Sequence, residues 1–149
     1  PAMSWKDAEY CIKRWGGPFA IKGVMSVEDA KKAVEIGASA IMLSNHGGRQ
    51  LDGSRSPFDQ LPDIVDAVGG KIEIIIDGGI RRGTHVLKAL SLGATACSFG
   101  KGFLYALGAG GQQGVEQILK RMKDEIIRDM ILLGCKNIKE LNKDKIAYR

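Results

Sequence analysis

Hydrophobic residues along the chain follow two spacings, which predict two kinds of secondary structure. Short continuous apolar runs indicate buried strands, and segments with an apolar residue every three or four positions indicate amphipathic helices. After a first helix, strand and helix alternate four times. Because the third strand is almost entirely β-branched, both of its faces are expected to be buried. The four strands are predicted at residues 19–23, 39–43, 72–76 and 95–99.

Capping and breaking residues mark the helix boundaries. Ser26 and Ser56 each precede a segment of helical periodicity and are predicted to be N-caps. The last helix is predicted at 114–133, after a short helix and a glycine-rich break at 108–111. The polar, mixed-charge segment 136–149 is expected to pack loosely or to mediate contacts.

Alternating strands and helices predict an α/β fold with a parallel sheet and helices outside it. Two architectures have this order, a doubly wound sheet and a (β/α)8 barrel. Polar, glycine-containing segments follow all four strands, which favours a barrel whose loops converge on one mouth. A full barrel needs eight strands and about 250 residues, whereas this chain has 149 residues. We therefore predict that residues 1–149 form one domain of TIM-barrel type, a half-barrel of four βα units with two exposed sheet edges.

Composition and charge narrow the function classes. The chain is 44% hydrophobic and 26% charged, which is typical of a globular protein, and its net charge of +5 favours anionic ligands. No basic tract with interleaved aromatic residues is present, so nucleic acid is not expected as a partner. No apolar run approaches 18 residues. Peripheral association with the inner membrane stays open.

The cysteines also bear on location and on metal binding. Cys11, Cys97 and Cys135 are too few and too widely spaced for a zinc site or a disulfide framework. We therefore expect no metal site, and a reducing, cytoplasmic location fits best. Cys97 lies in an apolar run and is expected to be a small core residue rather than a nucleophile.

The densest group of reactive side chains follows the second predicted strand. The loop Ser44–Asp52 contains a proton acceptor, His46, and a fixed cation, Arg49, with two glycines between them. Strand ends that open into glycine-rich polar loops are where α/β enzymes hold their catalytic groups. The alternative is an ordinary polar turn, in which His46 contacts the backbone and Arg49 is solvated.

The loops after the last two strands have the form of a phosphate site. In barrels, phosphate is often bound by the last two βα loops and the start of a short extra helix. The segment Asp77–Gly79 allows backbone amides to face a ligand, and Arg81 or Arg82 offers a guanidinium fork. Gly100–Gly102 opens a helix whose N-terminus favours an anion. The alternative is that these glycines only turn the chain, but two such loops in consecutive units favour phosphate binding.

Three motifs, in order and at their spacing, carry a family resemblance. They are Ile21-Lys22-Gly23, Ser44-Asn45-His46-Gly47-Gly48-Arg49-Gln50-Leu51-Asp52 and Asp77-Gly78-Gly79-Ile80-Arg81-Arg82-Gly83. The chain resembles the FMN-dependent α-hydroxy acid dehydrogenase and oxidase family, which includes L-lactate dehydrogenase and glycolate oxidase. The resemblance extends from about residue 5 to 141, and the second motif is the most specific of the three.

The resemblance implies a (β/α)8 barrel with FMN at its mouth, of which this chain is the C-terminal half. It implies oxidation of an L-2-hydroxy acid, L-lactate to pyruvate, with His46 as the catalytic base and Arg49 binding the substrate carboxylate. Lys22 would contact the flavin ring near N1 and O2. The family usually has arginine where Lys101 stands, and lysine lacks the bidentate fork. The cofactor-binding residues implied in this way are Lys22, Ser44, Asp77, Gly78, Gly79, Arg81, Gly100 and Lys101.

The same resemblance implies that the site is incomplete. In the family, the first four units supply a carboxylate that orients the histidine, tyrosines near the substrate and further flavin contacts, and none of these is in this chain. We therefore expect the chain to pair with the missing N-terminal half or with another copy, and to turn over weakly or not at all alone. Two alternatives remain: a non-catalytic half-barrel that binds flavin or phosphate, and a fragment that self-associates through its exposed strand edges.

Overall fold

The computed structural model describes residues 3–147, in which four parallel strands form one sheet. The strands lie in the sheet in the order in which they occur along the chain. A doubly wound sheet reverses its strand order at a switch point, so the sequential order is that of a barrel wall. The strands are β1 (Ala20–Lys22), β2 (Ala40–Leu43), β3 (Glu73–Asp77) and β4 (Ala96–Ser98).

In the described residues, five α-helices accompany the strands, and two of them begin directly after the predicted N-caps Ser26 and Ser56. The Ser26 hydroxyl accepts a hydrogen bond from the Asp29 amide at 3.1 Å, which confirms the predicted N-cap, and the Ser56 hydroxyl accepts one from the amide of Phe58 at the same distance. The predicted short helix and the last helix join in one element, and the glycine-rich break between them is a kink at Gly110 and Gly111. The helices are α1 (Trp5–Trp15), α2 (Val27–Glu35), α3 (Pro57–Val68), α4 (Gly83–Ser91) and α5 (Lys101–Leu132).

The two faces of the sheet are buried to different degrees. On the face covered by helices, Ile41 and Ile76 are completely buried. On the opposite face, Lys22 pairs in register with Met42 and Met42 with Ile75, and these residues are exposed or half-buried. The expectation that both faces of the third strand are buried was therefore wrong for this chain. A barrel buries that inner face only when the remaining strands close around it.

The C-terminal segment is anchored more firmly than the sequence predicted. Cys135 and Leu141 are buried in a small cluster with Leu87 of α4. The Lys145 ammonium donates a hydrogen bond to the Leu133 carbonyl at 3.4 Å, and Lys143 forms an ion pair with the Asp66 carboxylate at 2.8 Å. Two short 3₁₀ turns, Ile138–Glu140 and Lys143–Lys145, lie in this segment, and residues 148–149 of the predicted tail lie outside the described residues.

The hydrophobic core lies between the sheet and helices α2, α3 and α4. The inward residues of β2 and β3 meet small and branched side chains from the helices, including Ala30, Ala33, Leu61, Ile64 and Ala89. Because all four strands are parallel, their carboxyl ends lie along one edge of the sheet. The loops that follow the strands therefore converge there.

Candidate functional site

A cavity of about 590 Å³ opens at the carboxyl edge of the sheet. Its volume is within the range of small-molecule and cofactor sites. The walls come from the loops after all four strands, so the structure brings together Lys22 and Lys101, which are 79 positions apart in sequence. Nine of the ten predicted site residues line the cavity: Lys22, His46, Arg49, Asp77, Gly78, Gly79, Arg81, Gly100 and Lys101.

The loop after β2 holds His46 in an unusual backbone conformation. Its φ of 55° is left-handed, which is uncommon for a residue other than glycine. Gly47 and Gly48 follow with φ of 70° and 71°, a path that glycine adopts easily. The Asn45 side chain braces this path, since its carbonyl oxygen accepts from the Gly47 amide at 3.0 Å and its amide donates to the Arg55 carbonyl at 3.1 Å. Backbone strain of this kind is often found at functional sites.

The His46 ring has a partner within its own loop. Its Nδ1 lies 2.6 Å from the Gln50 side-chain oxygen. An amide oxygen only accepts hydrogen bonds, so this contact places the ring proton on Nδ1 and leaves Nε2 as a proton acceptor. Nε2 faces the end of β1, where it would lie 3.5 Å from a Cβ placed on Gly23. Gln50 was not assigned a role from the sequence, and its spacing of four residues after His46 was the available signal.

At the floor of the cavity, an ion pair and the Ser44 hydroxyl connect the ends of three strands. The Lys22 ammonium lies 2.8 Å from the Asp77 carboxylate and donates to the Ser44 hydroxyl at 2.8 Å. That hydroxyl donates to Asp77 at 2.7 Å and accepts from the His46 amide at 3.2 Å. Ser44 is only 2% exposed. It is the one predicted site residue that does not line the cavity, and it lies below, holding Lys22 and Asp77 in place.

The Asp77 carboxylate is stabilised in its charged form. Burial alone would raise the pKa of Asp77, but hydrogen bonds from Lys22, Ser44 and Ser98, together with the Lys22 charge, hold that pKa below its ordinary value. The carboxylate and the Lys22 ammonium therefore compensate each other. Together, the two groups add no net charge to the floor of the cavity.

The two arginines of the loop after β3 have different partners. Arg82 contacts the buried Glu125 carboxylate of α5, with Nε 2.7 Å from an oxygen. The Arg81 side chain has no ion pair within residues 3–147 and lines the cavity. The sequence left both arginines open as ligands for an anion, and the geometry leaves Arg81 available. Glu125 was not singled out from the sequence, because its partner lies 43 positions away.

The start of α5 completes the cationic side of the cavity. Gly100 precedes the helix and offers no side chain to cap it, so the first backbone N–H groups point outward without a capping acceptor. Such a helix start favours an anion. The Lys101 ammonium donates to the Gly47 carbonyl at 3.2 Å and thus connects the loop after β4 with the loop that carries His46.

These groups fit a phosphate-bearing cofactor. Arg81, Lys101 and the amides at the start of α5 are donors suited to phosphate oxygens. Gly78 and Gly79 have φ of 112° and 74°, which lets the backbone turn without a side chain filling the cavity.

Within the described part of the chain, no cluster of three or more His, Cys, Asp or Glu residues could hold a metal ion. Burial raises the pKa of the Cys97 thiol to about 11, as expected for a core residue.

Parallel βα units in sequential order define a barrel-type protein, and its basic, glycine-lined cavity at the strand ends fits a phosphate-bearing ligand. Comparison with known families agrees with this class. A family model described as FMN-dependent dehydrogenase matches residues 1–148, so the chain belongs to that family. The resemblance found in the sequence is confirmed, and FMN is the cofactor of the family.

Individual relatives are similar along nearly the whole chain. An L-lactate dehydrogenase of Vibrio cholerae serotype O1 (strain M66-2) is 48% identical over 149 residues, and one of Xanthomonas campestris pv. campestris (strain B100) is 48% identical over 147. These alignments cover 100% and 99% of this chain but only 39% and 38% of the relatives. The chain therefore spans about two-fifths of the length of these relatives.

Solved structures show the same relation. A flavocytochrome b2 variant with sulfite bound superposes with a TM-score of 0.93 at 47% identity, over 97% of this chain and 38% of that one. Mandelate oxidase with benzoyl-formic acid gives a TM-score of 0.90 at 42% identity, over 95% and 42%. The predicted partial barrel is confirmed by these neighbours. Among the described residues, no helix is both long and apolar enough to span a membrane.

Proposed function

We propose that this chain is the C-terminal half of an FMN-dependent oxidoreductase that oxidises an L-2-hydroxy acid, L-lactate to pyruvate. The observation that carries the proposal is that the His46–Arg49 loop and the Arg81–Lys101 anion site line one cavity. L-lactate is the substrate class named for the relatives that align with the whole chain. The phosphate of FMN would be bound by Arg81, Lys101 and the start of α5.

The charge distribution supports a division of the cavity into two parts. Arg81, Lys101 and the helix N-terminus form a cationic end, whereas Lys22 is balanced by Asp77. The cationic end suits the phosphate of FMN, and the charge-balanced Lys22–Asp77 pair suits the uncharged flavin ring. Bound FMN supplies a two-electron acceptor for the oxidation.

The remaining chemistry falls to residues of this chain. Oxidation of a 2-hydroxy acid to the keto acid removes the hydroxyl proton, the α-hydrogen and two electrons, and bound FMN would accept the electrons. His46 Nε2, left unprotonated by the Nδ1 contact with Gln50, accepts that proton. Arg49 binds the substrate carboxylate with its guanidinium fork and orients the α-carbon. The Arg49 side chain has no ion pair among residues 3–147 and is exposed at the cavity, so it is available for this contact.

The open inner face of the sheet indicates how the site is completed. Lys22, Met42, Ile75 and Ala96 lie in one register row across this face and are exposed or half-buried. We propose that four further strands, supplied by an N-terminal half, cover the row and close the barrel. Pairing with a second copy of this chain through β1 and β4 is the competing arrangement, because both strands are sheet edges.

The experiment is an anaerobic titration of the purified chain with FMN, followed by addition of L-lactate, with D-lactate as the control. We expect a bound-flavin spectrum and slow bleaching by L-lactate, which disappears in His46→Ala. Bound flavin that L-lactate never bleaches would favour the non-catalytic flavin-binding alternative. A chain that self-associates and binds no flavin would refute both functional readings.

A further inference from the structure

The second histidine of the chain lies directly behind the loop after β3, which carries Arg81. His85 is half-buried in the first turn of α4 and does not line the cavity. Its Nδ1 accepts a hydrogen bond from the Arg81 backbone amide at 3.2 Å. The same nitrogen lies 3.1 Å from the Gly79 carbonyl oxygen. One ring atom thus contacts both ends of the three-residue segment that carries Arg81.

These two contacts require different protonation states of Nδ1, unprotonated for the first and protonated for the second. The Arg81 N–H is a donor and needs an unprotonated nitrogen, whereas the Gly79 carbonyl is an acceptor and needs an N–H. The Arg81 N–H is directed at Nδ1 in hydrogen-bond geometry. We take the Arg81 contact as the one that forms, which places the ring proton on Nε2 and makes Nδ1 the acceptor for the Arg81 amide.

Other anchors hold the residues on each side of Arg81. Ile80 is 3% exposed and packs in the core. On the other side, the Glu125 carboxylate accepts from Arg82 Nε at 2.7 Å and from the Gly83 amide at 2.8 Å. The Arg81 amide is the remaining backbone donor of this stretch that faces a side chain, and His85 is its acceptor.

We propose that His85 is a positioning residue for the anion site, and that its Nδ1 fixes the backbone of Arg81 so that the guanidinium faces the bound phosphate. The inference rests on the proposed function, because it presumes that the phosphate of FMN occupies this end of the cavity. His85 touches neither phosphate nor flavin in this arrangement. Loss of the acceptor therefore weakens binding of the phosphate group alone.

A matched pair of variants tests this role. His85→Asn keeps a polar acceptor near the position of Nδ1, whereas His85→Leu is of similar size and has none. Dissociation constants are measured for FMN and for riboflavin, which lacks the phosphate. We expect His85→Leu to weaken FMN binding about tenfold, with riboflavin binding within about twofold of the wild type. His85→Asn should restore FMN affinity to within about threefold of the wild type.

Other outcomes would overturn the proposal. Unchanged FMN affinity in His85→Leu, or an equal loss for FMN and riboflavin, would show that His85 has only a general structural role. Failure of His85→Asn to restore affinity would exclude the acceptor as the cause. A wild-type chain that binds neither flavin would refute the proposed function, and with it the role of His85 in positioning Arg81 for the phosphate.

A second measurement needs no flavin and examines the contact itself. In ¹⁵N-labelled protein, the N–H···N hydrogen bond should give a scalar coupling between the Arg81 amide nitrogen and His85 Nδ1, with the ring proton on Nε2. A ring protonated on Nδ1 and directed at the Gly79 carbonyl would contradict the proposal. This result separates a wrong geometry at His85 from a wrong choice of cofactor.

Discussion

At the scale of single residues, the site depends on how each charged side chain is paired. Arg82 is held by Glu125, and Lys22 by Asp77 and Ser44, whereas Arg49 and Arg81 face the cavity without an ion pair among the described residues. The paired groups shape the cavity, and the unpaired ones are available to anions. This distribution supports two anionic ligands, a phosphate and a carboxylate.

Substitution of Asp77 should change how stability depends on pH. The pKa of the Asp77 carboxyl is lower in the folded chain than in the unfolded one, because hydrogen bonds from Lys22, Ser44 and Ser98 outweigh the effect of burial. Its contribution to stability is therefore present at neutral pH and is lost as pH falls below about 4. Asp77→Asn should be less stable at neutral pH and should lose less stability on acidification.

Urea unfolding between neutral and acidic pH measures this difference. Asp59→Asn is a suitable control, because it also removes a carboxylate and lies in the first turn of α3, away from Lys22 and Ser44. A pH dependence in Asp77→Asn identical to that of the wild type would contradict the account of this ion pair.

The residues that sequence reasoning identified are those that belong to contiguous motifs. His46, Arg49 and the Gly78–Gly79 pair are recognisable because each lies in a run of specific neighbours. Gln50 and Glu125 were missed because their roles arise from the folded path of the chain. A left-handed His46 brings Gln50 to its ring, and the packing of α5 on α4 brings Glu125 to Arg82.

At the scale of elements, the contact of α4 with α5 holds in place the loop after β3, which carries Arg81. Glu125 of α5 accepts hydrogen bonds from Arg82 and from the Gly83 amide at the start of α4. Burial alone would raise the pKa of Glu125, but the Gly83 amide and the two arginines, Arg82 and Arg121, lower it below its ordinary value. The pair of helices thus fixes the residue that follows Arg81.

Gly83 allows this close helix contact, and its substitution should be costly. A Cβ added there would lie 2.6 Å from the Met122 carbonyl oxygen and 2.8 Å from the Ile126 amide nitrogen. These are backbone atoms, so α4 and α5 would have to separate. We expect Gly83→Ala to destabilise the chain by about 1–3 kcal/mol in chemical unfolding.

Gly108→Ala provides the matched control for this prediction. Gly108 also lies in a helix, but a Cβ there would meet nothing within 4 Å. Alanine is favoured over glycine in helices by about 1 kcal/mol, so this variant should be as stable as the wild type or more stable. Equal destabilisation by both substitutions would show that the close contact at Gly83 is not the cause.

Element boundaries were predictable to the extent that they depend on local sequence. The N-caps Ser26 and Ser56 and the kink near Gly110 follow from local chemistry and were confirmed. The burial of β3 on one face only was not predictable from its β-branched residues, since a strand of a closed barrel and one of an open half-barrel have the same pattern. The anchoring of Leu141 depends on Leu87 of α4, which is distant in sequence, and Lys145 contacts the Leu133 carbonyl at the end of α5.

At the scale of the whole molecule, the chain is an open wall of a barrel. Its sheet has two edge strands, β1 and β4, and one face that helices do not cover. The cavity at the strand ends nevertheless contains Arg81 and Lys101, the cations of the proposed phosphate site, because the loops after β3 and β4 both lie within this chain. We therefore predict that phosphate recognition survives in the isolated chain even where catalysis is weak.

The most direct measurement is the affinity of the isolated chain for FMN relative to riboflavin, in the wild type and in two arginine variants. We predict that FMN binds at least about tenfold more tightly than riboflavin. Arg81→Gln should abolish this preference, whereas Arg82→Gln should keep it, because Arg82 is bound to Glu125 rather than facing the cavity. Equal affinity for the two flavins, or a preference that survives Arg81→Gln, would contradict the assignment of the phosphate site.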